Sequence, residues 1–111
     1  MKLIRLMLIV FAIGYSIPSK AAVTTMGTRP CGVWIKDHAQ PKELSWSALA
    51  DDAWLTGMLS GLALGLDIDF LSGADGASIL LWMNNYCQSH PLDDSADGAI
   101  ALFKELKKKM H

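Results

Sequence analysis

Two cysteines, Cys31 and Cys87, stand behind a start that reads as an export signal, and no other feature constrains the fold as tightly. Met1-Lys2-Leu3-Ile4-Arg5 is basic, Leu6 to Pro18 is uncharged and largely apolar, and Ser19 and Ala21 supply small residues at −3 and −1. This order is that of a cleavable secretory signal over residues 1–21. The apolar run is shorter than the roughly 18 residues a membrane-spanning helix needs, so no stable membrane anchor is expected after cleavage. Thr28-Arg29-Pro30 ahead of Cys31 is not a lipobox. The expected location is therefore periplasmic or secreted. An even cysteine count in an exported chain favours one disulfide, Cys31–Cys87. Closing a loop of that length stabilises by on the order of 4 kcal/mol in the chain-entropy picture. The alternative, a reactive or metal-binding thiol pair, finds no Cys-x-x-Cys, and His38, His90 and His111 do not stand at zinc-finger spacing.

Residues 22–111 make one domain of ninety residues, too small for a core that supplies more than a few kcal/mol unaided. Loss of Lys2, Arg5 and Lys20 leaves seven basic residues against eleven acidic ones, a net charge of −4. Ten of the acids precede Ala99, whereas Lys104, Lys107, Lys108 and Lys109 crowd the end. An acidic body offers no footprint for nucleic acid. The terminal lysines suit the negative end of a helix dipole.

No alternation with period two appears, and the apolar spacing is helical. Ala22 to Lys42 reads as loop with a short helix near Val33 to His38, and Trp34 and Ile35 dock on the core. Leu44 to Leu66 reads as a central helix, with Ser45 or Ser47 as N-cap and Asp51 and Asp52 in its early turns. It is apolar all round, the mark of a buried helix. Its ridge of Gly57, Gly61 and Gly65 is expected to pack closely on a neighbouring helix. Asp67 to Gly76 is a loop, and Asp67-Ile68-Asp69 does not continue as a calcium loop. Asp75 caps a helix over Gly76 to Ser89, with Ile79, Trp82, Met83, Tyr86 and Cys87 on its inner face and Asn84, Asn85 and Gln88 outside. Pro91 ends it. The last helix starts at Leu92 or Asp93 and runs to Lys109, with Leu92, Ala96, Ala99, Ile100, Phe103 and Leu106 inward. The fold expected is all-α, a small bundle of three to four helices closed by one disulfide.

Catalytic signatures are missing: there is no Gly-x-Ser-x-Gly, no His-Glu-x-x-His and no phosphate loop. The histidines are isolated. Asp51-Asp52 and Asp93-Asp94 are sequence neighbours that point apart on a helix, whereas paired catalytic carboxylates converge across a cleft. A non-enzymatic chain without cofactor or metal is expected. Asp93, Asp94 and Asp97 serve a helix start, or form an acidic patch for a basic protein partner. The four tryptophans read as core, with one of them a candidate surface anchor.

Three stretches carry a resemblance: Cys31-Gly32-Val33-Trp34, Trp54-Leu55-Thr56-Gly57-Met58-Leu59-Ser60-Gly61, and Leu81-Trp82-Met83-Asn84-Asn85-Tyr86-Cys87-Gln88-Ser89-His90-Pro91-Leu92. Together they resemble the small proteobacterial periplasmic proteins of the HdeA-like and Rap/Tai immunity group. That resemblance implies an all-α fold and maps the cysteine pair onto Cys31 and Cys87, with no catalytic residue to carry over. It implies a protein partner: a toxin of a type VI secretion system, neutralised by an immunity-type inhibitor, or acid-unfolded clients held by an HdeA-like chaperone. An envelope structural or assembly role is the third reading. Oligomeric state is not legible from these residues.

Overall fold

The computed structural model describes residues 14, 23–41 and 45–110. The expected signal at 1–21, Gly14 apart, the expected helix start at Leu44, and His111 lie outside the described residues. Four helices follow in order: α1 (Cys31–His38), α2 (Trp46–Leu66), α3 (Gly76–Ser89) and α4 (Ser95–Lys108). Among the described residues there is no strand, and one isolated bridge joins Pro30 to Asp94. The all-α expectation holds, and Cys31 is bonded to Cys87.

Local chemistry sets the helix ends. Ser45, not Ser47, caps α2, its hydroxyl accepting from the Ala48 N–H at 3.1 Å. Asp67 closes α2 in the left-handed region at φ 53°. Asp75 caps α3 as expected, accepting from the Ser78 N–H at 2.8 Å and its hydroxyl at 2.6 Å. Asp94 caps α4 and forms a capping box with Asp97.

The box moves the last helix's start to Ser95. Pro91, Leu92 and Asp93 then form a turn, and Leu92 is 99% exposed rather than the first residue of an apolar stripe. Ile100 is also exposed; Ala96, Ala99 and Leu102 make the buried side of α4, with Phe103 and Leu106 packed at its edge.

α1 packs on α3 and α2, and α4 packs on the same two helices. The core between them is Cys31 and Trp34, Leu55 and Leu59, Ile79, Met83 and Cys87, Ala99 and Leu102, with Phe70 from the α2–α3 loop. At about 25 cal/mol per Å² of apolar surface, each large buried side chain contributes roughly 1.5–3 kcal/mol. Asn84 is not outside as expected: it accepts from the Trp34 indole N–H at 2.7 Å, so the buried indole keeps its bond. Asn85 and Gln88 are exposed.

Glycine marks two opposite situations. Gly98 is where α4 meets α3: a Cβ there would collide with the Met83 thioether, Cε and Sδ alike, and lie 3.1 Å from Tyr86 Cδ1. Among the described residues, Gly57, Gly61 and Gly65 have nothing within 4 Å of a built Cβ. The expected glycine ridge is therefore not a packing ridge inside the domain. It points away from the core.

Candidate functional site

The acidic cluster at the start of α4 is engaged locally. Asp94 accepts from the Ala96 and Asp97 N–H groups, and Asp97 accepts from the Asp94 N–H at 3.0 Å. Asp93 accepts from the Tyr86 hydroxyl at 2.5 Å. Burial first, then this bond, push the Tyr86 phenol up to about 12. Trp82, Tyr86 and His90 stack in a column along α3, with centroids 5.5 and 4.2 Å apart. Asp93, Asp94 and Asp97 thus serve helix capping and the α3–α4 corner.

The second cluster joins the segment before α1 to α2. Arg29 ties itself to α4 through its backbone: its N–H donates to Ser95 Oγ at 2.9 Å and its carbonyl accepts from the Ser95 N–H at 2.8 Å. Its Nε donates to Asp51 Oδ1 at 2.8 Å and lies 3.9 Å from Asp37 Oδ2. Asp51 lies in an early turn of α2 as expected, and it is buried inside the α1–α2 seam. Asp37 Oδ2 and Asp51 Oδ2 are buried without a hydrogen-bond partner among the described residues. Burial raises the Asp51 carboxyl above its ordinary value, Arg29 opposes this, and the nearby Asp37 adds to it. His38 is not isolated: Nδ1 lies 2.7 Å from the Trp34 carbonyl, Nε2 lies 2.7 Å from Asp52 Oδ1, and the ring stacks on Trp34 at 4.3 Å. Asp51 and Asp52 do point apart, to Arg29 and His38 respectively. Asp51 and Asp52 are each absorbed into a contact that holds two elements together, with Arg29 and with His38, so the seam reads as structural.

The outer face of α2 is different. Its inner side buries Ala48, Asp51, Leu55 and Leu59. Trp46, Leu49, Ala50, Ala53, Thr56, Gly57, Ser60, Gly61, Leu64 and Gly65 are all exposed. Trp46 and Leu64 are each 85% exposed and Leu49 is 45% exposed. At about 100° per residue these ten positions fall in one sector of the helix, and at 1.5 Å per residue the face runs about 27 Å. None of the ten is charged. The helix expected to be buried all round is buried on one side alone. Of the tryptophans, Trp34 is core, Trp54 and Trp82 are half-buried, and Trp46 is on the surface. Trp54 turns its indole N–H to the Met26 carbonyl at 2.6 Å.

A smaller notch of about 230 Å³ opens where α1 ends, α2 begins and α3 passes. Its lining includes His38, Ala48, Ala77, Leu80, Leu81 and Asn84, and Leu81 is 62% exposed. No helix among the described residues is long and apolar enough to cross a membrane. Comparison with family models, with curated proteins and with solved structures finds no match.

Proposed function

We propose that this chain is an exported, disulfide-held protein-binding domain that acts by contact and carries out no chemistry of its own. By its resemblance in sequence it is closest to an immunity-type inhibitor of a secreted toxin. The observation that supports the reading is the outer face of α2: ten exposed, uncharged positions in one sector, with Trp46 and Leu64 standing free. Exposed apolar patches of several hundred Å², framed by polar surface, mark sites of association. Aromatic anchors such as Trp46 are enriched among the residues that carry binding energy.

The acid-chaperone reading draws less support. Burial raises the Asp51 carboxyl in the folded state. A raised folded-state pKa contributes stability below the ordinary carboxylate value that is lost as pH climbs through the raised one. Protonating Asp51 therefore supplies no acid-release switch in this seam.

The test is capture of partners by tagged, oxidised protein from periplasm and secretome at neutral pH, read by mass spectrometry, beside the variant Ala53→Glu. One dominant stoichiometric partner, lost in the variant, is the expected result. Capture that appears after acidification alone, and spans many proteins, would move the function to the chaperone. Capture unchanged by Ala53→Glu would remove the α2 face from the account.

A further inference from the structure

We infer that the Arg29 cluster is a proton-binding site: in weakly acidic solution Asp51 takes up one proton on Oδ2, donates it in a hydrogen bond to Asp37 Oδ2, and so fastens the end of α1 to α2. The site lies on the inner side of α2 and does not depend on the reading of the outer face.

Charge and hydrogen-bond capacity lead to it. Arg29 Nε faces both carboxylates, 2.8 Å from Asp51 Oδ1 and 3.9 Å from Asp37 Oδ2. One cation against two carboxylates leaves one negative charge in a seam where Asp51 is 3% exposed. Arg29 donates to Asp51 Oδ1, whereas Asp51 Oδ2 and Asp37 Oδ2 are the two enclosed oxygens without a partner among the described residues. An ionised carboxylate accepts and does not donate, so these two oxygens cannot satisfy each other. One proton changes that. The Asp51 carboxyl then donates, the Asp37 carboxylate accepts, and the excess charge is gone. A hydrogen bond from O–H to an ionised oxygen is among the stronger kinds. Burial, the largest influence, raises the Asp51 carboxyl above its ordinary 3.8; Arg29 opposes this, and the neighbouring Asp37 carboxyl adds to it.

The other charged groups described around the seam are engaged elsewhere. His38 Nε2 and Asp52 Oδ1 face each other at 2.7 Å, and the Asp94 carboxylate, next to Ser95, accepts from the Ala96 and Asp97 N–H groups. Lys36 is exposed, and Lys42 and Glu43 lie outside the described residues. The frame around the pair is held on both sides. Arg29 exchanges two backbone bonds with Ser95 of α4, and the Ser45 hydroxyl donates to the Asp37 carbonyl at 3.2 Å. The proton adds a second tie between α1 and α2 beside that of Ser45. Because the folded state holds it more tightly than the unfolded chain, the tie is complete below 3.8 and is lost as pH climbs through the raised value.

The experiment is a carbon-13 NMR titration of the side-chain carboxyls in the oxidised protein, wild type and Asp37→Asn, from about pH 7.5 to about pH 3. Hydrogen exchange of the Ala39 N–H, which closes α1 on the Ile35 and Lys36 carbonyls, is followed over the same range and corrected for its intrinsic pH dependence. In the wild type, Asp51 is expected to titrate at least about one pH unit above 3.8. The amide in Asp37→Asn donates to Asp51 Oδ2 with no added proton, so the midpoint should fall by about one unit, about a tenfold loss of proton affinity. Exchange at Ala39 should slow several-fold as the wild-type pH falls through the midpoint. An ordinary wild-type midpoint overturns the site, with or without the variant. A raised midpoint that Asp37→Asn leaves in place overturns the sharing with Asp37. Exchange that does not change through the midpoint overturns the fastening of α1 to α2.

Discussion

The knot around Cys31 and the outer face of α2 are built on opposite terms. At the knot, groups that start far apart in sequence are all used: the Cys31 N–H donates to the Asp93 carbonyl at 2.9 Å, Arg29 and Ser95 exchange backbone bonds, and Cys31 reaches Cys87. Cys31, Cys87 and Ser95 are fully enclosed there. On the outer face of α2, apolar side chains lie in solvent and glycines weaken the helix with no packing among the described residues to offset them. The first region spends its residues on holding the chain together. The second is costly to the isolated chain, and its composition makes sense when another protein covers it.

Perturbing each side breaks or sharpens this contrast. The largest effect belongs to the knot: Cys31→Ser with Cys87→Ser is expected to lose on the order of 4 kcal/mol in urea unfolding, much of the stability of a domain this size. A loss near zero would mean that packing alone holds the knot.

Glycine gives the next two effects, with opposite signs. Gly98→Ala is expected to destabilise by about 1–3 kcal/mol, because the enclosed Met83 has little room to yield. Gly57→Ala is expected to stabilise the monomeric state by up to about 1 kcal/mol, since the added Cβ meets nothing and alanine is the better helix former. Thermal midpoints moving in the same direction would erase the distinction between inner and outer glycines.

Acid titration probes the Arg29 seam. Asp51 has an ordinary value of 3.8, and burial sets it higher in the fold. The folded state thus holds its proton more tightly, and wild-type stability should rise relative to Asp51→Asn as pH falls from neutral toward that range. A difference that stays constant with pH, or reverses, would contradict the burial of this group. The smallest effect is spectroscopic. Tyr15 lies in the expected signal, so Tyr86 is the lone tyrosine of residues 22–111. Its absorbance titration should centre at about 12 and move toward 10.0 in Asp93→Asn. An ordinary wild-type midpoint would show that Tyr86 is neither partly buried nor bonded to Asp93 in solution.

Much of the fold was legible because helix ends are written in short-range chemistry. Asp75 and Pro91 bracket α3 as the residues suggest, and Ser45 was one of two caps expected for α2. The cysteine pairing followed from a count of two. What failed was long-range or directionless. Arg29–Asp51 and His38–Asp52 bridge 22 and 14 residues, and no local pattern announces them. Phe70 enters the core from a loop that carries no helical spacing. Leu92 fits an apolar stripe until the Asp94–Asp97 box starts the helix past it. α2 is the instructive case. A helix apolar on every side has no sequence signal for which side faces inward, and the glycine ridge was assigned to the wrong neighbour. The signal that remained was the excess itself, since more apolar surface than one small domain can bury points to a second contact.

The most direct test of that contact is hydroxyl-radical footprinting of the oxidised protein, dilute and concentrated, with Leu92 as the fully exposed internal standard. Trp46 and Leu64 should each become several-fold protected relative to their own dilute-state reactivity at high concentration or with periplasmic extract added, while Leu92 stays reactive. Trp46 and Leu64 keeping their dilute-state reactivity at every concentration, and with periplasmic extract added, would contradict the claim that the outer face of α2 is a protein-contact surface.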